Sequence, residues 1–180
     1  VHDIDDLRAV NRHVDRALDT YGDAATLTQI RQRFGYAFEP LDPRAKTFYK
    51  PTLRPRFVEP GETIEIAGLP VTTFEQDHDF SRTLGLRFGP IAYSTDVVEL
   101  SEDAFEALQG VRVWIIGTPV ARPHPTHSHV GKAVRWIERV APDQAILSHL
   151  GNDLDYRALE RQLPRGIVTA HDELTLEVPS

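Results

Sequence analysis

The alternation of apolar and polar positions divides the 180-residue chain into helical and extended segments. Ile4, Leu7, Val10 and Val14 recur at helical spacing, which predicts a helix from Asp3 to about Leu18. TYGD interrupts it. From Asp23, a second helix carries Ala24, Leu27, Ile30 and Phe34 on one face, and Gly35 stops it. Residues 36–60 hold Pro40, Pro43, Pro51, Pro55 and Pro60 without a clear period, which predicts a long surface loop or flap.

The pattern then changes from helical to alternating. TIEIAGLPVTTFEQ reads as a hairpin turning at Gly68, and TLGLRFGPIAYST as a second turning at Gly89-Pro90. Ser101 caps a short helix, EDAFEALQ, which Gly110 closes. VRVWIIG and QAILSHLG are continuous apolar runs, as expected of strands covered on both faces. Between them Val130, Val134, Ile137 and Val140 form one face of a helix that ends before Pro142. LDYRALERQL predicts a last helix, and GIVTAHDELTLEV a closing strand pair. No repeat or low-complexity linker appears, so residues 1–180 read as a single domain. Hairpins followed by strand–helix units predict a layered α/β fold.

Composition narrows the chemistry. Hydrophobic residues at 41% and charged residues at 26% suit a globular protein, and no apolar run is long enough to cross a membrane. The start is acidic rather than basic and then apolar, so no signal peptide is legible; the expectation is a cytoplasmic protein. With no cysteine, any metal must sit on histidine and carboxylate. A net charge of −7 argues against a dedicated nucleic-acid binder but not against a small phosphorylated substrate held by local cations.

Three candidate residues share one context. His78 follows the strand VTTFEQ, Asp96 follows IAYST, and His149 follows AIL with Gly151 just beyond. Rigid strand ends can hold ligands at fixed distances, so these three are candidate metal ligands; the alternative is ordinary surface residues at loop starts. In RPHPTHSHVGKAV, His124, His127 and His129 crowd a helix start near Arg122, Lys132 and Arg135. Free N–H groups and the helix dipole attract anions there, so a phosphate could bind with a histidine protonating its leaving oxygen. The same histidines also fit a metal pair or a solvated loop.

FEQDHDFSRTLGLRFGPIAYSTD, WIIG…HPTHSHVGKAVRWIERVAPDQAILSHLG and LDYRALERQLPRGIVTAHDELTLEV together resemble the metallo-β-lactamase fold. Within it they are similar to phosphodiesterases that cleave phosphoribosyl cyclic phosphate. The resemblance implies a four-layer αββα sandwich and two divalent metal ions, zinc or manganese, sharing a hydroxide that attacks phosphorus. It carries His78 over as a ligand of the first metal, Asp96 as the bridging ligand and His149 as a ligand of the second. It makes His127 the catalytic residue that contacts phosphate and assists the leaving group, with His124 and His129 as alternative substrate-binding residues. Asp155 is a candidate for orienting a ligand histidine.

The family signature H-x-H-x-D-H, which supplies ligands to both metals, is absent. VHDIDDLR resembles the helix start that follows it, so the expectation is a C-terminal portion lacking the N-terminal strands, impaired alone, with self-association as one remedy. Rival readings are a tRNA-processing nuclease, a lactonase, a non-catalytic binding domain of the same fold, and a bland α/β domain with surface histidines.

Overall fold

The computed structural model describes residues 3–176 and 178. The chain divides into two compact units, residues 1–59 and 60–180.

In the first unit a 3-10 turn, Ile4–Asp6, leads into α1, Leu7–Val14. β1, Leu18–Gly22, is followed by α2, Ala24–Arg33, and the short α3, Gly35–Phe38. Asp23 caps α2 by accepting the Thr26 N–H at 2.7 Å, as its position before the apolar period predicts. The proline-rich stretch is not a loop throughout. Leu53–Phe57 is a strand, β2, paired in parallel with β1 from Leu18↔Leu53 to Gly22↔Phe57. Pro55 hid this strand from a periodicity reading, because proline demotes a run to edge or loop.

The inward face of α1 also differs from the apolar pattern. Ile4 is buried, but Val10 and Val14 are exposed and Asn11 is fully buried. The Asn11 amide donates to Arg16 O (2.8 Å) and Thr52 O (2.9 Å), and its Oδ1 accepts the Thr52 N–H at 3.0 Å. One side chain thus satisfies backbone groups just before each of the two strands, which an apolar residue could not do.

The second unit is built on one seven-stranded sheet. Its strands are β3 (Thr63–Ile66), β4 (Leu69–Asp77), β5 (Arg82–Phe88), β6 (Ile91–Ser94), β7 (Val113–Gly117), β8 (Gln144–Ser148) and β9 (Ile167–Thr169), neighbouring one another in that order. β3 to β6 pair antiparallel through hairpins, and β6 to β9 pair parallel. α4 (Glu102–Ala107), α5 (Val130–Val140) and α6 (Tyr156–Gln162) supply the crossovers between the parallel strands. Trp114, Ile116, Leu108, Ala133 and Leu147 are buried in its core, and the Trp114 indole donates to Ser94 Oγ at 3.0 Å. The closing strand pair is reduced to β9; residues 170–176 and 178 are not strand, and Glu177 lies outside the described residues.

This topology positions the chemistry. β4 is antiparallel to β5 and β5 to β6, so β4 runs with β6, β7 and β8. All four therefore end at the same edge of the sheet.

Candidate functional site

His78 lies one residue beyond β4, Asp96 two beyond β6, and His149 one beyond β8. The connection from β7 to α5 carries His124, His127 and His129 over that edge. Two non-glycine residues there hold the left-handed conformation, Asp96 at φ 52° and His149 at φ 57°. For non-glycine residues this conformation carries strain, of the kind that clusters at functional sites.

His78, Asp96 and His127 each present one ligating atom, and the three atoms lie within 4.8 Å of one another. His127 Nε2 is 3.2 Å from Asp96 Oδ1. The His127 ring meets His78 edge-on at 4.7 Å between centroids and stacks with His149 at 5.6 Å. His124 sits 5.5 Å from His127 and lines a cavity of about 420 Å³ with Arg122 and Asp153. The sequence reading set His127 apart from the ligands as the catalytic residue; a nitrogen of its ring lies within 4.8 Å of the ligating atoms of His78 and Asp96. His129 stands apart, at the start of α5, with its ring 3.3 Å from where a Gly131 Cβ would lie. Asp155 does not orient a histidine: its carboxylate caps α6 by accepting the Ala158 N–H at 2.7 Å.

Thr126, which sequence reasoning passed over, organises the histidines. Its carbonyl lies 2.5 Å from His78 Nδ1. A carbonyl can only accept, so the proton of a neutral His78 sits on Nδ1, leaving Nε2 as a lone pair. The Thr126 N–H and hydroxyl both approach His124 Nδ1, at 3.3 and 3.2 Å, and the hydroxyl lies 2.7 Å from His127 Nδ1. The Thr126 N–H makes His124 Nδ1 an acceptor, while the hydroxyl can donate to either ring or accept from a His127 Nδ1–H. His127 Nε2 faces the Asp96 carboxylate, donating a hydrogen bond when it carries the proton and offering a lone pair to a cation when it does not. Burial, first, holds His127 below the usual histidine pKa; the nearby His78 and His149 act in the same direction, while the hydrogen bond to Asp96 opposes them. Imidazole nitrogens anchored on the far side by a carbonyl and a hydroxyl are the donor set a divalent transition metal takes. The described residues therefore fit a metal ion.

Two close backbone approaches fix the surrounding loops. A Cβ on Gly151 would fall 2.3 Å from Pro119 O, and the Gly151 N–H donates to that same oxygen at 3.0 Å. Ser128 N–H donates to Val97 O at 2.6 Å, tying the histidine loop to the Asp96 turn.

Residues 1–150 match the model of the β-lactamase superfamily domain. The chain belongs to that superfamily. Among solved structures of the fold, the chain is 27% identical to a diphosphatase of the PhnP family, with a TM-score of 0.77 over 88% of this chain and 57% of that one. Zinc-bound PqqB from Methylobacterium extorquens gives a TM-score of 0.67 at 17% identity, covering 96% of this chain and 68% of that one. The metallo-β-lactamase fold protein YhfI from Bacillus subtilis gives 0.63 at 14%, covering 88% and 64%. The last two show the shared fold alone. A curated relative, octanoyltransferase from Porphyromonas gingivalis, is 29% identical over 150 residues, 83% of this chain. The chain spans only 29% of that relative's length.

Proposed function

We propose that the chain carries part of the centre of a metal-dependent hydrolase acting on a phosphodiester or diphosphate. The convergence of His78, Asp96 and His127 at one sheet edge, each offering a ligating atom to the same space, carries this reading. The likeness to a diphosphatase supports phosphorus as the reacting centre. A small cyclic phosphate follows only from the family resemblance of the sequence.

His78 Nε2, Asp96 Oδ1 and His127 Nε2 would hold a zinc or manganese ion, with His149 one ring away as ligand to a second. A divalent cation there supplies positive charge against phosphoryl oxygens and acidifies water at neutral pH. The Thr126 carbonyl and hydroxyl hold the Nδ1 sides of the His78 and His127 rings, which would leave their Nε2 atoms to the ion. His124, with Nδ1 occupied by Thr126, carries its own proton on Nε2 and can donate it in a hydrogen bond to a phosphate oxygen. Arg122, in the same cavity, adds a fixed positive charge for an anionic substrate.

The test is turnover of bis(p-nitrophenyl) phosphate by the zinc- or manganese-loaded protein, with metal content measured in parallel. Asp96→Ala is expected to abolish turnover and lower metal content. His127→Ala separates its two roles: loss of metal marks a ligand, and retained metal with slow turnover marks a group that acts on substrate. Unchanged turnover in Asp96→Ala contradicts the proposal.

A further inference from the structure

Behind the Asp96 turn lies a polar pair, buried Gln76 and half-buried Thr83, that takes no part in the proposed chemistry. Gln76 sits on β4 with 1% of its surface exposed. Its amide NH2 donates to the Thr95 carbonyl at 3.1 Å and to the Thr83 hydroxyl at 3.1 Å. Thr83, on β5, in turn donates that hydroxyl to the Asp96 carbonyl at 2.8 Å. Two side chains from adjacent strands thus hold two successive carbonyls on either side of the peptide leading into Asp96. The orientation of the amide is not arbitrary: Thr95 O accepts only, so the nitrogen must face it.

Three further observations single this pair out. Asp96 holds a left-handed backbone, sparsely populated though more accessible to Asp than to most side chains, which the two hydrogen-bonded carbonyls help to hold. Gln76 Oε1 is buried with no hydrogen-bond partner among the described residues, a cost that an apolar residue at this core position would avoid. Gly85, across from Phe74 on β5, leaves the room: a Cβ there would fall 2.2 Å from the Phe74 ring and 2.8 Å from Gln76 Oε1.

We infer that Gln76 and Thr83 are positioning residues, a polar clamp that fixes the Asp96 carbonyl and so aims the Asp96 carboxylate at His78 and His127. Without the clamp, the turn relaxes toward an ordinary conformation and the carboxylate leaves the shared space. The inference rests on the reading of this cluster as a metal centre.

The experiment titrates metal-free protein with zinc alone, comparing wild type, Thr83→Val, Thr83→Ser and Gln76→Leu, and records melting temperature in chelator for each. Thr83→Val keeps the shape and loses the hydroxyl. It is expected to weaken zinc binding about 10- to 100-fold, the range seen when groups that orient ligands are removed, while Thr83→Ser restores affinity. Hydrogen exchange of residues 94–98 in the metal-free protein is expected to speed up in Thr83→Val and Gln76→Leu. Wild-type zinc affinity in Thr83→Val, with unchanged exchange, overturns the clamp and leaves the metal centre standing. Affinity lost only in step with melting temperature overturns it as well. No zinc binding by wild type overturns the metal centre itself, and the clamp with it.

Discussion

Thr126 illustrates how much of the site depends on one side chain without charge. Its backbone oxygen fixes the proton of a neutral His78, and its hydroxyl hydrogen-bonds His127 Nδ1 at 2.7 Å. Thr126→Val removes only the hydroxyl, so the His127 ring loses its anchor while His78 keeps its own. Zinc affinity is then expected to fall about tenfold, the lower end of what loss of a ligand-orienting hydrogen bond costs, and Thr126→Ser to retain it; competition with a chromophoric chelator measures both. At this scale the sequence was partly legible. His78, Asp96 and His149 stood out because each ended a strand. Gln76, Thr83 and Thr126 did not, because a polar residue in a strand or loop looks the same whether it faces solvent or a ligand. Asp155 misled for a related reason: an aspartate before a helix is first a cap, and its carboxylate is already used by the Ala158 N–H.

The elements that carry these residues are joined where the backbone comes closest. Gly151 is required by sterics rather than by φ: Pro119 O occupies the space of its Cβ. Gly151→Ala must part the turn after β8 from the connection after β7, moving His149 and His127 away from each other. The expected outcome is weaker metal binding together with a loss of stability of about 1–3 kcal/mol, the usual cost of overpacking, read from zinc titration and urea unfolding. The hairpins, the two buried strands and the helix from Val130 were legible from period alone. β1 and β2 were not, since Pro55 breaks the run and the pairing joins strands far apart in sequence. The face of α1 was misread because Asn11, not the valines, does the inward bonding.

Over the whole molecule, acidity should act through half-buried histidines before it acts through carboxylates. His127 and His129 are both held below the ordinary value of 6.5, in each case chiefly by burial. For His129 the charges of Arg135 and Lys132 add to this. The unfolded chain then takes up protons at higher pH than the folded one, so protonation favours unfolding. Stability is expected to be full above about 6.5, the ordinary histidine value, and to fall as the pH drops through the two depressed values. Melting temperatures of the metal-free protein measured from pH 8 to 5 check this, and the decline should flatten in the His127→Gln, His129→Gln double variant. The strand order that gathers these histidines follows from β4, β6, β7 and β8 all running one way, a parallelism that apolar runs suggest but do not number.

Calorimetric titration of the metal-free protein with zinc, for wild type and for a variant carrying His78→Ala, Asp96→Ala and His127→Ala together, tests the three-donor centre most directly. Saturable binding by wild type that disappears in the triple variant, with folding intact by circular dichroism, is the expected result. Equal binding by both proteins, or none by wild type, contradicts it.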